Sequence, residues 1–174
     1  MNVIEFAMKM EKDGKAYYEK LSRETDNPEL KKILIELAEE EERHYQYFSH
    51  LKSDPNDTSG AKKLKGSKTL ALAKNIFEQL AENSDDNSYG KDVVSAWTQA
   101  LRNEEKSEKF YREAAAEEHD KERKNLLLKI AQEENNHVHM VSGIIMYLKA
   151  PMTFADSSQF KEFRSIEGWG KDLG

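Results

Sequence analysis

Six residues of this 174-residue chain have the types and spacing of a metal site. Glu41 and His44 are three apart, as are Glu134 and His137. On a helix that spacing sets a carboxylate and an imidazole on one face, as adjacent ligands of one cation require. Glu11 and Glu104 add one carboxylate each from other segments. A glutamate three before a histidine is weak evidence alone. With 23 glutamates in the chain, any histidine has about a one-in-eight chance of one. The repeat raises the signal above chance. Glu11, Glu41 and His44 recur as Glu104, Glu134 and His137, each 93 positions on. Tyr18 and Tyr111, Ala38 and Ala131, and Glu40 and Glu133 keep the same offset without a gap.

Helices must position these residues. Charged residues make up 34%, aromatics 9%, and glycine (8) and proline (3) are scarce, a mix that favours long helices over sheets. Apolar residues at spacings of three and four predict helices over about 2–25, 27–53, 92–118 and 121–149. Asp26 and Asn27 before Pro28 mark the start of the second. The crossover 54–91 is rich in turn formers and holds a short amphipathic helix over 69–82. The tail, 150–174, carries Phe154, Phe160, Phe163 and Trp169 and is expected to lie along the bundle or on a second copy. Two short helix connections and one long crossover describe an all-α fold: a ferritin-like antiparallel four-helix bundle over 1–149, built from two repeated hairpins.

The apolar stripe of each helix is broken near its middle by a glutamate, and in two of them by a histidine one turn later. The stripes are Ile4-Ala7-Glu11-Gly14-Tyr18-Leu21, Leu30-Leu34-Leu37-Glu41-His44-Phe48-Leu51, Val94-Trp97-Leu101-Glu104-Ser107-Tyr111-Ala114 and Leu127-Ile130-Glu134-His137-Val141-Ile144-Leu148. Inward carboxylates at mid-bundle cost several kcal/mol each unless paired, neutralised or bound to metal. Two divalent cations balance four of them. Oxygen and imidazole ligands suit iron or manganese, and zinc can also occupy such a site.

Neighbouring residues receive plainer readings. Glu39, Glu40, Glu42 and Glu133 fall off the stripes and read as solvated face, so Glu41→Ala is expected to cost metal binding and Glu40→Ala is not. Glu105 is the alternative to Glu104 if the third helix is rotated, and the repeat favours Glu104. Tyr18 and Tyr111 either hydrogen-bond a ligand carboxylate or simply pack the core. His50, His119 and His139 lack a glutamate three residues before them and read as surface.

Composition excludes other classes. The net charge is −6 with no single basic face, which argues against nucleic acid as a partner. There is no cysteine, hence no disulfide, thiolate zinc site or cysteine nucleophile. The first residues carry acids from Glu5 onward and no apolar signal region, and the longest apolar run, 141–148, is too short for a bilayer. A cytoplasmic protein is expected.

The segments EKDGKAYY at 11–18, EERH at 41–44, EEKSEKFY at 104–111 and ENNH at 134–137 resemble the four metal-binding helices of the rubrerythrin and ferritin-like di-iron proteins, over about 2–149. The resemblance implies two iron ions, with Glu11 and Glu104 as terminal ligands, Glu41 and Glu134 as bridges, and His44 and His137 each capping one metal. It also implies a non-haem di-iron oxidoreductase that reduces hydrogen peroxide or O2. Full rubrerythrins carry a cysteine-ligated rubredoxin domain. A chain without cysteine is expected to take electrons from a separate donor protein. A further glutamate of rubrerythrins, one turn after the third-helix ligand, is Ser107 here, and its repeat counterpart is Gly14. The implied ligand set is therefore four Glu and two His, nearer to bacterioferritin-type centres. Two other readings stand beside this one: an iron-binding, ferroxidase or storage-related protein, and a non-catalytic bundle stapled by metal. A homodimer is expected from the spare apolar surface of the 69–82 segment and the tail.

Overall fold

Asn27 and Pro28 show how the chain sets its turns. The Asn27 side chain accepts hydrogen bonds from the backbone N–H groups of Glu29 (2.9 Å) and Leu30 (3.0 Å), and Pro28 follows where its missing N–H costs nothing. Asn2 and Asp120 cap two other helices in the same way, on the N–H groups of Glu5 (2.9 Å) and Arg123 (2.8 Å). The computed structural model describes residues 2–59, 72, 73, 75, 76, 78, 79 and 89–150. Its helices are α1 (Val3–Glu24), α2 (Pro28–Ser53), α3 (Lys91–Glu117) and α4 (Lys121–Lys149), with no strand among the described residues.

The fold is an all-α, ferritin-like four-helix bundle. α1 packs along α2 and α3 along α4, each pair joined by a three-residue connection, while α1 and α3 meet over a shorter length. The expected short helix over 69–82 lies largely outside the described residues. Its described Ala73 and Ile76 are buried against the core. The tail 151–174 lies wholly outside them.

Two apolar clusters hold the hairpins together. One gathers Leu30, Ile33, Leu34, Leu37, Trp97 and Ile144 with their neighbours. The other gathers Ala7, Phe48, Tyr111, Leu126 and Ile130, with the Phe48 and Tyr111 rings stacked at 5.5 Å. All seven residues of the expected stripe on α2, and all seven on α4, are buried. On α1 and α3 the stripes are only partly buried: Ile4, Gly14, Val94, Leu101, Ser107 and Ala114 are half-exposed. No described helix is long and apolar enough to cross a membrane.

Asn27→Ala removes the cap of α2 and should cost about 1 kcal/mol. The expected result is a lower urea midpoint with an unchanged slope, measured by circular dichroism.

Candidate metal centre

Mid-bundle, between the two apolar clusters, each helix brings a carboxylate inward. Glu11, Glu41, Glu104 and Glu134 are 1–4% exposed, and His44 and His137 are fully buried. They form two overlapping groups. Glu11, Glu41, His44 and Glu134 place one ligand atom each within 4.8 Å of one another, and so do Glu41, Glu104, Glu134 and His137. Glu41 and Glu134 belong to both. Glu105 faces solvent, so the third helix has the register the repeat favours. His50, His119 and His139 are exposed, away from the centre.

Each imidazole turns Nδ1 to the centre and Nε2 away from it. His44 Nδ1 lies 3.0 Å from Glu134 Oε1 and 3.4 Å from Glu11 Oε2. His137 Nδ1 lies 3.3 Å from Glu104 Oε2 and 3.6 Å from Glu41 Oε1. On the far side, His44 Nε2 is 2.7 Å from Glu133 Oε2 and His137 Nε2 is 2.5 Å from Glu40 Oε2. A proton on Nε2, donated to these carboxylates, leaves the Nδ1 lone pair facing inward, which is the tautomer a metal ligand needs.

Glu40 and Glu133 correct the sequence reading. They are not solvated face: Glu40 is 2% exposed, and the Glu133 side chain is 13% exposed. Glu40 also takes an ion pair from Arg43 Nη2 at 3.0 Å. Glu39 is exposed, and Glu42 is half-exposed and pairs with Lys15 at 2.8 Å, much as expected of a coat. The repeat was the signal for the missed pair, since Glu40 and Glu133 are 93 apart like the ligands themselves.

The tyrosines also reach across. Tyr18 of α1 donates its hydroxyl proton to Glu104 Oε1 of α3, and Tyr111 of α3 donates to Glu11 Oε1 of α1. Both rings are buried, so they pack the core and orient a carboxylate at once. At Gly14 the absent side chain matters. A Cβ there would stand 2.8 Å from Glu41 Oε2, so only glycine lets α1 approach this carboxylate so closely.

The residues present fit a pair of cations. Seven buried polar atoms here have no hydrogen-bond partner: Glu11 Oε2, Glu41 Oε1, Glu104 Oε2, both carboxylate oxygens of Glu134, and Nδ1 of both histidines. Buried polar atoms seldom go unpaired, and these face one another in the two groups that can hold a metal. Protons compete for the same positions. Burial and the charges of Glu11, Glu134 and Glu104 push the Glu41 carboxyl well up. Burial with Glu11 and Glu104 takes Glu134 to about 8. Burial, the largest single effect, pushes Glu11 up, but the His44 charge and hydrogen bonds with His44, Glu41 and Tyr111 together outweigh it and hold Glu11 below its ordinary value. Burial pulls both imidazoles down, and Glu11 at His44 and Glu104 at His137 more than reverse this, leaving both well above the usual range.

The rubrerythrin family model matches residues 2–145, which contain all six inward residues. The chain belongs to the rubrerythrin family. No curated protein and no solved structure matches it. Membership and the buried carboxylate–histidine cluster together point to a metal-binding protein.

Two outcomes follow from this geometry. Metal uptake must displace protons from Glu41, Glu134 and the imidazoles, so apparent Co(II) affinity should rise from about pH 6 to about pH 9, with protons released into a weak buffer during calorimetry. Glu40→Gln should lower that affinity by about 10- to 100-fold, the usual effect of losing the partner behind a metal-bound histidine. Glu39→Gln, on the exposed face, is the control and should leave it unchanged.

Proposed function

We propose that this chain is a non-haem di-iron oxidoreductase that reduces hydrogen peroxide or O2 with electrons from a separate donor protein. The observation that carries the reading is the set of seven buried atoms without a hydrogen-bond partner, in two overlapping groups that share Glu41 and Glu134. A mononuclear staple leaves half of that set uncompensated. Each half holds the same donors, three carboxylates and one imidazole, as iron or manganese prefers; zinc is accommodated as well.

When bound, a ferrous pair supplies two electrons and polarises an O–O bond. Reduction of hydrogen peroxide to two waters would take those two electrons and two protons. The chain's own residues prepare this step. Glu11 and Glu104, held by Tyr111 and Tyr18, would each hold one cation, and Glu41 and Glu134, which belong to both groups, would serve both. Glu133 and Glu40 keep the imidazoles of His44 and His137 in the ligating tautomer. A cleft between α1 and α3 reaches Glu41 and Glu104 past Gly14 and Ser107 and gives the oxidant its way in. A cytoplasmic homodimer served by a soluble electron donor belongs to the same proposal.

The test is anaerobic loading followed by mixing with peroxide. Two Fe(II) per chain should bind, and one hydrogen peroxide should oxidise both, with repeated turnover once a reductant is supplied. Oxidation by O2 alone, with no response to peroxide, supports a ferroxidase instead. Binding without oxidation by either reagent leaves only the structural staple.

A further inference from the structure

The cleft is far larger than hydrogen peroxide requires. It holds about 610 Å³ between α1 and α3, and its inner end is formed by Glu41, Glu104 and Tyr18. Two small residues keep that end open. Gly14 presents no side chain to Glu41, and Ser107 stands at the corresponding place on α3. Toward solvent the walls become apolar. Phe6 and Phe110 pack against each other, centroids 4.8 Å apart and planes tilted by 52°, into one aromatic wall, and Met10 and Tyr17 continue the lining. Phe6 is 38% exposed, an apolar side chain spent on the wall of an open cleft rather than on the core. Asp13, Lys106, Lys109 and Glu113 make the polar rim. An apolar channel with a polar rim and a few polar groups at its end is the usual build of a small-molecule site.

We propose that the cleft binds organic hydroperoxides, with the alkyl or aryl body packed against the wall formed by Phe6, Met10 and Phe110 and the –OOH head toward Glu41 and Glu104. This rests on the di-iron reading and narrows its substrate class. The O–O bond breaks, two electrons come from the ferrous pair and two protons from solvent, and the products are the alcohol and water. Water-filled, the cleft would serve hydrogen peroxide equally well without aromatic walls. The walls offer a gain only to a substrate with an apolar body, worth about 0.8 kcal/mol, or roughly fourfold in binding, per buried methylene.

Two measurements test it on the full chain. The zinc-loaded protein, which cannot turn over, should bind 2-phenylpropan-2-ol, the product alcohol of cumene hydroperoxide, with shifts in the aromatic NMR signals of Phe6 and Phe110. The diferrous protein should be oxidised by cumene hydroperoxide in stopped flow. Ser107→Leu, which fills the inner end, should raise the rate ratio of hydrogen peroxide to cumene hydroperoxide by about tenfold and abolish alcohol binding. Phe6→Ser, at a half-exposed wall that the fold tolerates, should raise the concentration of cumene hydroperoxide needed for half-maximal rate with little change in the maximum. An unchanged ratio in both variants, or no alcohol binding to the zinc-loaded protein, overturns the proposal while hydrogen peroxide turnover keeps the underlying function intact. Loss of reaction with both peroxides in the native protein overturns the two together.

Discussion

Four carboxylates converge where water is excluded, and the rest of the molecule is arranged around that fact. Like charges this close repel by about 4 kcal/mol a pair at a realistic effective dielectric, so four of them together rival the roughly 5–15 kcal/mol by which a domain is stable. Protons on Glu41 and Glu134 and positive imidazoles at His44 and His137 relieve the repulsion in one way, and divalent cations relieve it in another. The apolar clusters on either side hold the helices close enough that one of these remedies is always needed. Metal binding and folding are therefore linked, and the same groups that lower stability without a cation raise it with one.

The supports of this centre run between hairpins rather than within them. Tyr18 serves Glu104, Tyr111 serves Glu11, Glu133 serves His44, and Glu40 serves His137. Every one of these hydrogen bonds joins the first hairpin to the second. Sequence-local helix contacts build each hairpin, whereas the site exists only once the two have docked in register.

The helices and their inward glutamates were legible because they obey a single periodicity and a single offset. Seven buried positions on α2 follow from spacing alone, and so does the choice of Glu104 over Glu105. Glu40 and Glu133 were misread for a physical reason. A stripe of three-and-four spacing describes a helix that buries one face, but α2 packs against α1 and also sends side chains to α4, so its buried arc extends a further residue around the axis. The partners of Tyr18 and Tyr111 were equally out of reach. Spacing places a hydroxyl on the inner face but does not say which of several carboxylates on other helices it meets.

Gly14 with Ser107, and Arg43 with Asn136, are places where the two copies of the repeat differ next to the centre. A symmetric dimer of identical hairpins would have to carry the same residue at both members of each pair. Joining the copies in one chain lifts that restriction. Arg43 lies against Glu40, behind His137, while the residue in its place behind His44 is an uncharged asparagine. Glycine lets α1 approach the Glu41 carboxylate closely, whereas α3 carries a serine side chain at the matching position. The near-twofold symmetry of the inward residues is thus set in asymmetric surroundings, and the two overlapping groups they form are chemically distinct.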